Sequence, residues 1–103
     1  MLYTPDKWVI VDMDTVKKVF ATWLGGYLNG ETWKLSSGTL EIKDCGDYWE
    51  LPQYSGSVYK LFKDSEGTTM WSMGVLEHLL EPYPEYKVVS LTPEEVTVET
   101  TEN

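Results

Sequence analysis

"TVKKVFATWLGGYLNGETWKLSS", residues 15–37, sets two apolar-rich runs on either side of Asn29-Gly30. Asn and Gly both tolerate the positive φ that a type I′ turn needs at its two central positions, so this dipeptide is a strong hairpin signal. A two-residue turn there places Leu28 opposite Glu31, Tyr27 opposite Thr32, Gly26 opposite Trp33 and Leu24 opposite Leu35. Alternation then sends Phe20, Leu24, Leu28, Trp33 and Leu35 to one side, the expected core face. The other side receives Val19, Ala21, Trp23, Tyr27, Thr32 and Lys34. Gly25 and Gly26 permit a bulge or bend, and Trp33 is expected to cover Gly26 across the pair.

Working outward, "KWVIVDM" (7–13) is short, apolar and β-branched and reads as a strand, although it alternates poorly. "LEIKDCGDYWEL" (40–51) reads as a second hairpin turning at Cys45-Gly46. That register pairs Ile42 with Trp49 and Leu40 with Leu51 on one apolar face. It also opposes Glu41 to Glu50, two like charges. "VYKLFK" (58–63) and "YKVVSL" (86–91) are further strands. Between them, "MWSMGVLEHLLE" (70–81) changes period: Trp71, Val75, Leu76, Leu79 and Leu80 form a helical stripe, Thr69 suits the N-cap, and Pro82 and Pro84 stop the helix. The expected architecture is α+β: an antiparallel sheet of about five to six strands built from hairpins, with one helix (70–81) packed on one face. Residues 1–93 read as a single domain, and 94–103 as an acidic edge strand through Val96 and Val98 or a tail.

The 103 residues carry a net charge of −9, unevenly spread. Residues 15–63 are close to neutral, whereas 64–103 hold one Lys and nine acids. The chain has no Arg, the preferred residue for bidentate phosphate and guanine recognition, and no basic footprint, which disfavours direct nucleic-acid binding. No window has the apolar length to span a bilayer, and a lone Cys45 permits no internal disulfide. Both fit a protein of a reducing, cytoplasmic setting.

Catalytic sets are hard to assemble from these residues. His78 is the single His, with nothing near it in sequence to complete a nucleophile–base–orienter set. Cys45 sits between Asp44 and Asp47, a poor electrostatic setting for a nucleophile, and one His with one Cys makes no zinc cluster. Glu41, Asp44, Asp47 and Glu50 form the best carboxylate group, with Glu41 and Glu50 as the pair an enzyme would use, yet hairpin tips are commonly acidic for solubility alone. No catalytic residue, metal ligand or cofactor is therefore assigned. Two binding readings stand beside this. Trp23, Tyr27 and Lys34 share a hairpin face able to stack a base and neutralise a phosphate, with Lys60 or Lys63 on the next strand as further cations. Glu77, Glu81 and Glu85 offer an acidic surface for a basic partner protein. A homodimer is also expected, since one helix leaves the sheet's other face, with Trp23 and Tyr27, uncovered.

"YTPDKWVIV" (3–11), "KVFATWLGGYLNGETWKLSSG" (18–38) and "YSGSVYK" (54–60) resemble segments of small accessory proteins of tailed bacteriophages. The resemblance covers roughly the first two thirds of the chain and brings no catalytic residues with it. It implies a phage accessory protein acting in the infected bacterium's cytoplasm, where such proteins often bind and disable a host factor, defence systems included. The expected function is thus a non-catalytic host-factor inhibitor, with a sequestering protein for a nucleotide signal as the alternative and a carboxylate enzyme as the second alternative.

Overall fold

Strand β2 (Lys7–Asp12) accounts for its own poor alternation: Trp8, Val9, Ile10 and Val11 are all buried, because both sides of the strand are covered. In the computed structural model, which describes residues 1–25 and 30–91, the remaining elements arrange around it. β1 (Leu2–Tyr3) precedes it, and β3 (Lys17–Leu24), β4 (Glu31–Leu35), β5 (Lys43–Asp44), β6 (Tyr48–Pro52) and β7 (Val58–Phe62) follow. A 3-10 turn (Lys63–Ser65), helix α1 (Met70–Leu80) and β8 (Lys87–Val89) complete the order.

The expected class holds: antiparallel hairpins with one helix on a sheet face. The described strands number eight and divide into two four-stranded sheets. Sheet I runs β4-β3-β2-β8 and is wholly antiparallel. Sheet II runs β1-β7-β6-β5, with β1 parallel to β7. Trp8, Ile10, Val19 and Ala21 of sheet I pack against Ile42, Trp49, Leu51, Tyr59 and Leu61, forming the inter-sheet core. On the far side of sheet I, Val9, Val11 and Phe20 meet Leu76 of α1, flanked by Val75, Leu79 and Leu80. The layers are therefore helix, sheet I, sheet II.

Both hairpin registers move, each by an even number of residues. Leu24, not Leu28, opposes Glu31, and Phe20 opposes Leu35. Trp33 faces Thr22 and does not cover Gly26. Gly26, Tyr27, Leu28 and Asn29 lie outside the described residues. The four-residue offset preserves face parity, so Trp23 and Lys34 do share a side. The expected core face is the helix side, where Phe20 is buried and Leu35 half-buried, while Leu24 and Trp33 emerge beyond the helix; Trp33 is 40% exposed and stacks on Phe20. The principal core is the opposite face.

In the second hairpin Lys43 opposes Glu50 and Asp44 opposes Trp49, so the turn falls at Gly46-Asp47. The shift replaces the like-charge pair of Glu41 and Glu50 with an opposite-charge pair. Ile42, Trp49 and Leu51 are buried as expected, but Leu40 is 57% exposed. Four residues separate Thr39 from Lys43 where three separate Glu50 from Gln53, and this extra residue turns Leu40 out.

Helix α1 begins with a reciprocal capping box: Ser72 N–H donates to Thr69 Oγ1 at 3.0 Å, and Thr69 N–H donates to Ser72 Oγ at 3.0 Å. Its buried stripe runs through Ser72, Leu76, Val75, Leu79 and Leu80. Trp71 is not part of it and is 44% exposed. The second sheet also covers the face whose exposure motivated a homodimer, which removes that reason for one. Val96, Val98 and the rest of 92–103 lie outside the described residues. Among the described residues no helix is long and apolar enough to cross a membrane.

Candidate functional site

Tyr3 is placed opposite Tyr59 by the parallel pairing of β1 with β7, and the two rings stack at 5.0 Å. Trp23 meets the Tyr3 ring edge-on at 6.0 Å, and Lys34 Nζ lies over the same ring at 5.4 Å. Tyr3 thus joins sheet II to the β3–β4 edge of sheet I. Beside this junction opens a cleft of about 370 Å³, lined by Tyr3, Lys34, Tyr59 and four serines: Ser36, Ser37, Ser55 and Ser57. That volume lies within the usual range of small-molecule sites.

The serines come from two loops that the sequence drives together. Gly38, at φ +139°, turns the chain after β4 into a region L-residues avoid, and a Cβ there would come within 2.8 Å of Tyr54 and Val16. Its carbonyl accepts from Tyr54 N–H at 2.9 Å. Gln53, buried immediately after β6, receives Gly38 N–H on Oε1 and donates through Nε2 to Thr39 Oγ1 and the Leu51 carbonyl. Every polar atom of that amide is engaged, so Gln53 fixes both serine loops.

Hydroxyl orientation follows. Ser36 Oγ accepts from Val19 N–H at 2.8 Å, Ser37 Oγ from Ser55 N–H at 3.1 Å, and Ser55 Oγ from Ser57 N–H at 3.4 Å. Each oxygen is held by a backbone donor, which leaves its proton to be donated elsewhere. None of the described lining residues is acidic, in a chain with seventeen carboxylate side chains. Lys34 supplies one full positive charge at the rim. Burial, then the neighbouring Tyr3, pushes the Tyr59 phenol up to about 12, so it remains a neutral donor through the physiological range. A donor-rich cleft without carboxylates suits an oxyanion.

Of the residues singled out from sequence, Lys34 lines this cleft, while Trp23 does not line it but packs on its Tyr3, half-buried against the inter-sheet core. Tyr27 lies outside the described residues. Lys60 and Lys63 are not brought to it: Lys60 covers the Tyr48 and Phe62 rings, and Lys63 sits over Trp49 and pairs with Asp44 at 2.7 Å. The hydrogen bond from Lys63, with one from Gly46 N–H, lowers the Asp44 carboxyl below its ordinary value. Glu50 is bracketed across strands by Lys43 and Lys60 and does not face Glu41. Among the described residues no three metal-ligating side chains gather.

Glu77, Glu81 and Glu85 are all exposed. His78 is exposed too, 4.0 Å from Glu81. Glu85, with Asp12, Asp14 and Lys87, lines a separate groove of about 320 Å³. Tyr3, Tyr59, Gln53 and the serines escape a reading by local pattern, because loops 36–38 and 53–57 meet only through the tertiary fold. Their sole signal is the pair of Ser-Gly clusters, "SSG" and "YSGS". No protein-family model, curated protein or solved structure matches this chain.

Proposed function

We propose that this chain is a non-catalytic binding protein that sequesters a small phosphorylated molecule of the nucleotide class in the cleft at the sheet junction. The observation that carries this reading is the grouping of Lys34 with four serines and two tyrosines in one cleft whose described lining holds no carboxylate. The phosphate lies against Lys34 and the serine protons, and the remainder of the ligand extends past Tyr3. Taken with its resemblance to phage accessory proteins, the chain acts in the infected cell's cytoplasm by withdrawing a signal on which a host system depends.

Thermal stabilisation tests it, since a ligand that binds only the folded state raises Tm, by the equivalent of about 2.7 kcal/mol at a hundredfold excess over Kd. AMP is expected to raise Tm, adenosine to leave it unchanged, and Lys34→Ala to abolish the shift. No shift with AMP or inorganic phosphate overturns the reading.

A second reading, inhibition of a host protein through the acidic surface, is favoured by one arrangement. Exposed Glu77 on α1 and exposed Glu81 at its C-cap accompany exposed Met70, Trp71 and Met73 of the same helix, a mixed apolar and acidic surface suited to a basic partner. Retention of a basic host protein in pull-down, lost when Glu77, Glu81 and Glu85 become Lys, supports it; retention that survives the reversals removes it.

A further inference from the structure

Among the described residues only Thr22 Oγ1 and the Tyr59 hydroxyl are buried side-chain polar atoms without a hydrogen-bond partner. Such groups are uncommon in folded proteins, because a buried donor that gives up water and gains nothing lowers stability. Tyr59 is 1% exposed and its ring is fixed by stacking on Tyr3, so the phenol has little freedom to seek a partner elsewhere. It also lines the cleft, alongside Lys34 and the serines.

We infer that Tyr59 is a ligand-contacting residue, whose hydroxyl donates to an anionic oxygen of a phosphoryl group held between it, Lys34 and the serine hydroxyls. The inference rests on the cleft being a binding site and assigns it a recognition element at its floor. The geometry separates two tasks. Lys34, exposed at the rim, provides charge, which any anion satisfies. Tyr59, fixed by stacking, and Ser36, Ser37 and Ser55, whose oxygens are held by backbone N–H groups, provide directed donors, which favour a tetrahedral oxyanion that accepts several hydrogen bonds at once. A halide has no directional lone pairs to match these donors, and a planar monocarboxylate offers two oxygens in one plane where a phosphoryl group offers three around a tetrahedral centre. The cleft is therefore selective for phosphate esters over simple anions of the same charge.

Removing the hydroxyl separates a binding role from a structural one. In Tyr59→Phe the buried orphan disappears while the ring stays. The unliganded protein is expected to gain stability, a rise in Tm of roughly 4–8 °C. AMP affinity, measured by calorimetric titration, is expected to fall by about tenfold or more, as for loss of a hydrogen bond to a charged oxygen. Thr22→Val is the control: Thr22 is equally buried and unpartnered but does not line the cleft, so Tm rises and AMP affinity is unchanged. Acetate and chloride are expected to compete poorly with AMP. Unchanged AMP affinity in Tyr59→Phe, or a lower Tm, overturns the role of Tyr59. If that result comes with Lys34→Ala still abolishing binding, the cleft reading survives without it. Failure of AMP and inorganic phosphate alike to bind the parent protein overturns both.

Discussion

Tyr59 carries a second consequence at the scale of a single residue. Its folded pKa is about 12, against an ordinary value of 10, with burial as the leading cause. A phenol whose pKa is raised on folding ionises more readily in the unfolded chain, so stability keeps its full value below the unfolded pKa and is lost as pH climbs through the folded one. Denaturant unfolding of the parent is thus expected to show a loss of stability between about pH 10 and 12 that Tyr59→Phe lacks. Equal slopes in the two proteins would remove the claim that this phenol is desolvated. Gly38 has a residue-scale consequence as well. Its positive φ and the 2.8 Å approach of Tyr54 and Val16 to a would-be Cβ mean that Gly38→Ala forces apart the loops that carry the serines. That variant is expected to be destabilised by about 1–3 kcal/mol, and to lose AMP binding even under conditions where it is folded.

At the scale of elements, α1 supports two predictions of opposite sign. Thr69→Ala removes one half of the capping box and should cost about 1 kcal/mol in chemical denaturation. Gly74 lies in the middle of the same helix, exposed, with nothing within 4 Å of where a Cβ would stand. Gly74→Ala should therefore stabilise by roughly 0.5–1 kcal/mol, through helix propensity and reduced freedom of the unfolded chain. These features were legible in the sequence because they are local: Thr69, the stripe through Leu76 and the two prolines need no tertiary partner to be recognised. The hairpins were legible in existence and facing but not in register. Alternation fixes only whether a residue is odd or even along a strand, so offsets of two and four residues leave Ile42, Trp49 and Leu51 inside and change only what each opposes. The placement of Lys43 against Glu50 shows a reason for the actual choice, since it removes a repulsion that a turn centred on Cys45-Gly46 would have imposed. Trp71 was misread because it is apolar and lies four residues before Val75. The stripe instead enters at Ser72, whose burial is made tolerable by the cap it completes.

At the scale of the whole molecule, the two sheets are tied by more than apolar contact. Trp8 Nε1–H donates to the Phe62 carbonyl at 2.7 Å, Gly67 N–H returns to the Trp8 carbonyl at 2.7 Å, and Thr39 N–H reaches the Lys17 carbonyl at 2.8 Å. The sheets are expected to unfold together, with tryptophan fluorescence and far-ultraviolet circular dichroism giving coincident transitions. Trp8→Phe, which keeps a ring but loses the indole donor, should lower stability by about 1–3 kcal/mol. Separate transitions for the two probes would show the layers to be independent. This layer arrangement, and with it the cleft, was the part the sequence could not disclose. It depends on β1 lying parallel to β7, more than fifty residues away, and on which sheet edge receives it. Lys34 was picked out by charge and Trp23 by its ring, but their common neighbour Tyr3 is a partner only through that distant pairing.

The strand covered on both sides also governs how freely the gene can vary. Along β6 every second side chain is only half-buried, and β4 has no fully buried residue, so codons in both can drift among polar residues. Across Trp8–Val11 no such respite exists, since each successive side chain points into one apolar layer or the other. In a saturation library selected for folded protein, these four adjacent positions should form an unbroken block that rejects Asp, Lys and Ser. Positions 31–34 should instead accept many replacements.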